Sequence, residues 1–164
     1  MRGEALNEFK SVECLIMDWA DDAAYSLNDI VDGVRAGFLN VERVERWAGG
    51  EAIGALEQRH LDSFFDAVRK DRLENTFSKK IGHFIQACRL KPRDNFMSEK
   101  TNRYKFDLVV DEAARSEAEF FKKMANDIIF ESPQLEQLEH KARVIISALY
   151  NTIWENYAQR NERV

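Results

Sequence analysis

A mainly α-helical fold is what the patterning of this chain predicts. Its 164 residues include only two prolines and seven glycines, so few positions force a break. Good helix formers, Glu, Lys, Ala and Leu, are plentiful. Apolar residues recur at three- and four-residue steps over long stretches, and only one short segment alternates in the manner of a strand. With 45% hydrophobic residues the chain can bury a core, and its length suits one domain or one part of a larger one.

The first helix is expected from about Glu8 to Arg35, ending near Gly37. Ile16, Ala20, Ala23, Leu27, Ile30 and Val34 form its core stripe. Asn40 can cap a short helix through Val41, Val44 and Trp47, after which Gly49, Gly50 and Gly54 loosen the chain before another helical stretch. From Leu61 to about Cys88 the spacing of Phe64, Phe65, Val68, Leu73, Phe77, Ile81 and Phe84 is helical. A register change around Lys70–Leu73 predicts a kink or break.

Pro92 stops that helix, and residues 93–102 read as a loop. Tyr104, Phe106, Leu108 and Val110 then alternate with other side chains, which predicts one short strand at 103–110. Asp111 is a good cap for a helix over 112–130. Ser132 and Pro133 suit the start of a last helix, in which Leu135, Leu138, Ala142, Ile145, Leu149, Ile153 and Tyr157 make a long apolar face.

Charge and cysteine usage bound the function. No run of about 18 apolar residues occurs, which argues against a membrane span. Glu4 and Glu8 stand where a signal peptide needs basic and then apolar residues. Cys14 and Cys88 have no paired spacing, which fits free thiols in a reducing compartment. A soluble cytoplasmic chain is expected. The net charge of −5 is uneven: residues 59–105 carry 12 basic and 6 acidic side chains. Lys79, Lys80, Arg89, Lys91, Arg93, Lys100, Arg103 and Lys105 belong to this segment, and could meet a nucleotide or nucleic acid; solvated helix ends and a loop explain them equally.

The first helix holds the one segment with chemistry in it. Between residues 18 and 32 it carries Asp18, Asp21, Asp22, Asp29 and Asp32 and no glutamate, whereas elsewhere glutamate outnumbers aspartate 17 to 7. Aspartate is the worse helix former by roughly a few tenths of a kcal/mol, so a face chosen for stability alone prefers glutamate. These aspartates and Tyr25 fall within about a 100° sector opposite the apolar stripe. Asp21, Tyr25 and Asp29 stand at successive four-residue steps, which permits a single site; an ordinary acidic solvent face has the same pattern.

The stretch ECLIMDWADDAAYSLNDIVDG, Glu13 to Gly33, resembles the signature helix of the dGTP triphosphohydrolase-like branch of HD-domain phosphohydrolases. That helix carries an MDWADD-like run, a tyrosine, and an aspartate four residues later; Met17–Asp22, Tyr25 and Asp29 stand in those places. RYKFDLVVD and ESPQLEQLEHKARVIISALY are similar to the family's carboxy-terminal part, so the resemblance spans nearly the whole chain, more weakly after Gly37. It implies a helical HD-type fragment over 1–164 and the conversion of a deoxynucleoside triphosphate to deoxynucleoside and tripolyphosphate. By the same resemblance Asp21 is a metal ligand, Tyr25 and Asp29 contact the deoxyribose, and Asp22 supports the site. A carboxylate with imidazoles suits Mg²⁺, Mn²⁺ or Fe²⁺.

The departures from the family are equally informative. His60, His83 and His140 all follow the signature helix, and no His-Asp dipeptide occurs. The family's histidine ligands precede that helix, so the upstream HD half is expected from elsewhere, and the isolated chain is expected to be inactive. The three histidines read as packing or surface residues, and Cys88 as a buried small residue. Family resemblance also implies homo-oligomers. The alternative from another class is a non-catalytic helical regulatory module that binds a nucleotide, a nucleic acid or another protein.

Overall fold

A computed structural model describes residues 10–94 and 96–158. Among them the chain forms seven α-helices and one two-stranded sheet, the mainly α architecture expected. The first helix, α1 (Val12–Arg35), starts where the Ser11 side chain accepts a hydrogen bond from the Cys14 amide at 3.4 Å. That cap places the start later than predicted; Glu8 lies outside the described residues. Past its end, Gly37 takes φ +77°, a conformation that glycine adopts without strain.

The helix α2 (Val41–Gly50) is capped by Asn40, which accepts from the Arg43 amide at 2.9 Å. The predicted break falls between α3 (Ala55–Arg69) and α4 (Leu73–Gln86), where Asp71 adopts φ +51°. The helix expected to reach Cys88 stops at Gln86, because Cys88–Pro92 forms a strand, β1, antiparallel to β2 (Phe106–Val110). Cys88 pairs with Val110 and Pro92 with Phe106. A proline at the strand end sacrifices no interior ladder bond.

The loop expected over 93–102 contains a short helix, α5 (Phe96–Lys100), and a 3₁₀ turn over Asn102–Tyr104 shortens the predicted strand. Asp111 caps α6 (Glu112–Ala125) through the Ala113 amide at 3.0 Å, and a π-turn, Asn126–Phe130, completes the predicted helix. Ser132 caps α7 (Pro133–Ile153).

The core lies where α1 packs between α4 and α6, with β2 against it. Leu27, Ile30, Phe64, Phe77, Phe84 and Phe121 are fully enclosed, and the Phe77 and Phe121 rings meet edge to face at 5.0 Å. Gly33 lets the π-turn approach: a Cβ there would collide with Ile129. Two sequence expectations change. Ile16 and Ala20, at the amino-terminal end of the α1 stripe, are exposed, and Trp19 is buried instead. No residue of α7 is buried: Leu135 packs half-buried against the core, and from Leu138 onward the large apolar side chains of its face are exposed.

Candidate active site

The exposed side of α1 and the start of α6 border an open cleft of about 530 Å³. Asp18, Asp21, Asp22 and Tyr25 line it from α1, Leu108 and Val110 from β2, and Arg115 from α6. Three of the predicted site residues, Asp21, Asp22 and Tyr25, therefore share one space. Asp21 is exposed, and the Tyr25 ring is 60% exposed. Asp29, one turn beyond Tyr25, is half-buried and is not among the residues bordering the cleft. Burial pushes the Asp29 carboxyl above its ordinary value, and the neighbouring Asp32 charge adds to the shift.

The cleft acids are engaged differently. Asp22 accepts a 2.6 Å charged hydrogen bond from Lys122 of α6, which ties the acidic helix to its neighbour. Asp18 accepts one of equal length from Lys10. Trp19 forms the floor: its Nε1 donates to the Phe84 carbonyl at 3.2 Å, and its ring lies 5.8 Å from that of Phe84. The Arg115 guanidinium lies 6.0 Å over the same indole. Arg115 and Lys122 were not foreseen from sequence; Arg115 lies far along the chain from the Trp19 ring it covers and Lys122 from Asp22, and no local motif marks either.

The metal that the family implies does not find a complete site here. No group of three or more His, Cys, Asp or Glu side chains among the described residues is placed to hold an ion. The histidines lie elsewhere. The Nδ1 of His60 is 3.3 Å from Glu117 Oε1, and its ring packs 5.7 Å from Phe120. Burial holds its pKa below the ordinary value. His83 is exposed at the end of α4, and His140 is exposed on α7. Cys88 is only half-buried, and burial pushes its thiol pKa up. Of the basic cluster, Lys80 pairs with Glu117, and Arg93 with Asp107 at 2.9 Å. None of that cluster borders the acidic cleft.

Across Trp19 and Leu108 the cleft backs onto an apolar groove of about 400 Å³, walled by Ile16, Ala20, Ile81, Ile85, Cys88 and Leu90. The exposed part of the α1 stripe thus faces a groove beside the acids.

Similarity to known proteins covers nearly all of this scaffold. Over 93% of the chain, 26% of residues are identical to a deoxyguanosinetriphosphate triphosphohydrolase-like protein of Pasteurella multocida. The chain resembles dGTP triphosphohydrolase-like proteins. A relative of the same name from Streptomyces coelicolor is 26% identical over 91% of the chain, and one from Bifidobacterium longum 25% over 88%. The alignments cover 34%, 41% and 35% of those relatives, so this chain spans well under half the length of the relatives it matches. No family model matches.

Proposed function

We propose that this chain is the carboxy-terminal, nucleotide-contacting part of a metal-dependent deoxynucleoside triphosphate triphosphohydrolase, whose remaining metal ligands lie on sequence outside it. The observation that carries this reading is the gathering of Asp21, Asp22 and Tyr25 in one cleft, on a helix with the family's signature. The whole enzyme releases a deoxynucleoside and tripolyphosphate.

Within that enzyme Asp21 supplies one carboxylate to a Mg²⁺, Mn²⁺ or Fe²⁺ centre, and the histidines come from the HD half. An exposed, unaided carboxylate is a poor site by itself, which is why the isolated chain is inactive in this reading. Asp22, held by Lys122, orients the acidic turn. Tyr25 presents its phenol one turn on and contacts the sugar. Asp29 lies one turn beyond the cleft lining and holds a proton more readily than an ordinary carboxyl; in this reading it hydrogen-bonds a sugar hydroxyl that extends past Tyr25. The apolar groove beside the cleft offers a seat for the absent half.

Reconstitution with a polypeptide that carries the histidine and His-Asp ligands tests the assignment. Asp21→Asn then removes metal-dependent turnover, beyond the roughly 10–100-fold that outer-sphere partners cost. Tyr25→Phe and Asp29→Asn raise KM for the deoxynucleotide and narrow its preference over the ribonucleotide. Full activity in Asp21→Asn would eliminate the metal-ligand role.

A further inference from the structure

Most of the charges around the acidic cleft cancel in pairs. Lys10 holds Asp18 at 2.6 Å, and Lys122 holds Asp22 at the same distance. Of the charged side chains that line the cleft, Asp21 and Arg115 are left without an opposite charge among the described residues. Arg115 is exposed, and its guanidinium lies 6.0 Å over the Trp19 indole. That contact holds the guanidinium against α1, while its N–H donors have no acceptor among the described residues.

Position along α1 gives this free cation a direction. A helix advances about 1.5 Å per residue, so Tyr25 stands about 6 Å to the carboxy-terminal side of Asp21. Trp19, with Arg115 over it, stands about 3 Å to the amino-terminal side. The helix α6 runs alongside in the same sense: Arg115 meets Trp19, and Lys122, seven residues on, meets Asp22. Asp21 therefore lies between a tyrosine side and a cationic side.

A deoxynucleoside triphosphate has the same polarity, sugar first, then the α-phosphate, then the β- and γ-phosphates. With the sugar at Tyr25 and the α-phosphate nearest Asp21, the outer phosphates extend toward Trp19. A polyanion laid against three aspartates requires positive charge close by. Lys10 and Lys122 are already engaged, and the planar, forked guanidinium suits phosphate oxygens better than an ammonium does.

We propose that Arg115 binds the outer phosphates of the substrate, and the tripolyphosphate product, in the cleft it shares with Asp21. The assignment rests on the triphosphohydrolase reading and adds to it the residue that receives the end of the substrate remote from the sugar.

Titration of the ¹⁵N-labelled full chain with sodium tripolyphosphate tests it without metal or turnover. The Arg115 Nε–Hε resonance, identified by its absence from Arg115→Lys, is expected to move and to saturate. Followed through the Asp21 and Trp19 amides, Arg115→Ala weakens binding about tenfold, and Arg115→Lys weakens it less. Lys91→Ala, on the hairpin away from the cleft, leaves it unchanged. A stationary Arg115 resonance, or an Arg115→Ala chain that binds tripolyphosphate as tightly as the unaltered one, overturns the proposal: the guanidinium then only covers Trp19. In the reconstituted enzyme Arg115→Ala raises KM and the inhibition constant of tripolyphosphate together. If tripolyphosphate binds through Arg115 but the reconstituted enzyme hydrolyses no deoxynucleotide, the anion site stands and the enzymatic reading fails.

Discussion

The helices α1 and α7 are both long, both capped by serine, and both striped with apolar residues. In α1, Ala23, Leu27 and Ile30 are at most 3% exposed, whereas in α7 Leu138, Ile145, Leu149 and Ile153 stand 49–60% exposed. Periodicity reports which face of a helix avoids water. It does not report what covers that face. The part of the α1 stripe that reaches beyond the body, Ile16 and Ala20, behaves like α7: it is apolar, periodic and uncovered. Both uncovered stretches belong to a chain that spans 34% and 41% of the length of two relatives it matches.

Matched truncations break this comparison most directly. Leu27→Ala is expected to cost about 2–5 kcal/mol in a urea unfolding titration, because its cavity opens among fully enclosed side chains. Leu149→Ala, at an exposed position of α7, should stay within about 0.5 kcal/mol. Equal losses would mean that α7 packs on the body after all. A smaller effect is expected where α1 closes on the π-turn: Gly33→Leu should cost roughly 1–3 kcal/mol, since its side chain has to displace Ile129 and Leu39. Trp19→Phe keeps a ring against Phe84 but loses the bond to its carbonyl, and should cost about 1 kcal/mol by the same titration.

The smallest effect is one of pH. His60 has its pKa held below the ordinary 6.5 by burial, with Lys80 acting in the same direction and Glu117 and Glu57 against it. The unfolded chain therefore binds more protons than the folded one just below pH 6.5. Stability is fully present above that value and falls as pH drops through the window, by at most about 1.4 kcal/mol per pH unit. His60→Phe should flatten this slope in midpoints measured at several pH values. An unchanged slope would place the proton uptake elsewhere.

The helical class, the caps at Asn40, Asp111 and Ser132, and the break near Asp71 were legible in sequence because each depends on local chemistry. The strand β1 was not. Its alternation of Cys88, Leu90 and Pro92 with Arg89 and Lys91 is too short to outweigh the helical run before it, and its partner lies beyond an irregular segment. At the candidate site, local spacing brought out Asp21, Tyr25 and Asp29, all on one helix. Lys122 reaches Asp22, and Arg115 the Trp19 ring, only through tertiary packing, so no window of sequence contains them. Asp29 was grouped with the cleft by its helical phase, yet it borders other surroundings, half-buried beside Asp32.

The central claim is that this chain contributes acids and a tyrosine to a nucleotide site that it cannot complete alone. Incubating the purified chain with all four deoxynucleoside triphosphates and Mg²⁺ or Mn²⁺, and assaying for deoxynucleoside and tripolyphosphate, tests it directly. The account predicts no product from the chain alone, and product once a polypeptide bearing the missing histidines is added. Product from the chain alone would mean that His60, His83 or His140 completes a metal site within it, and would contradict the account.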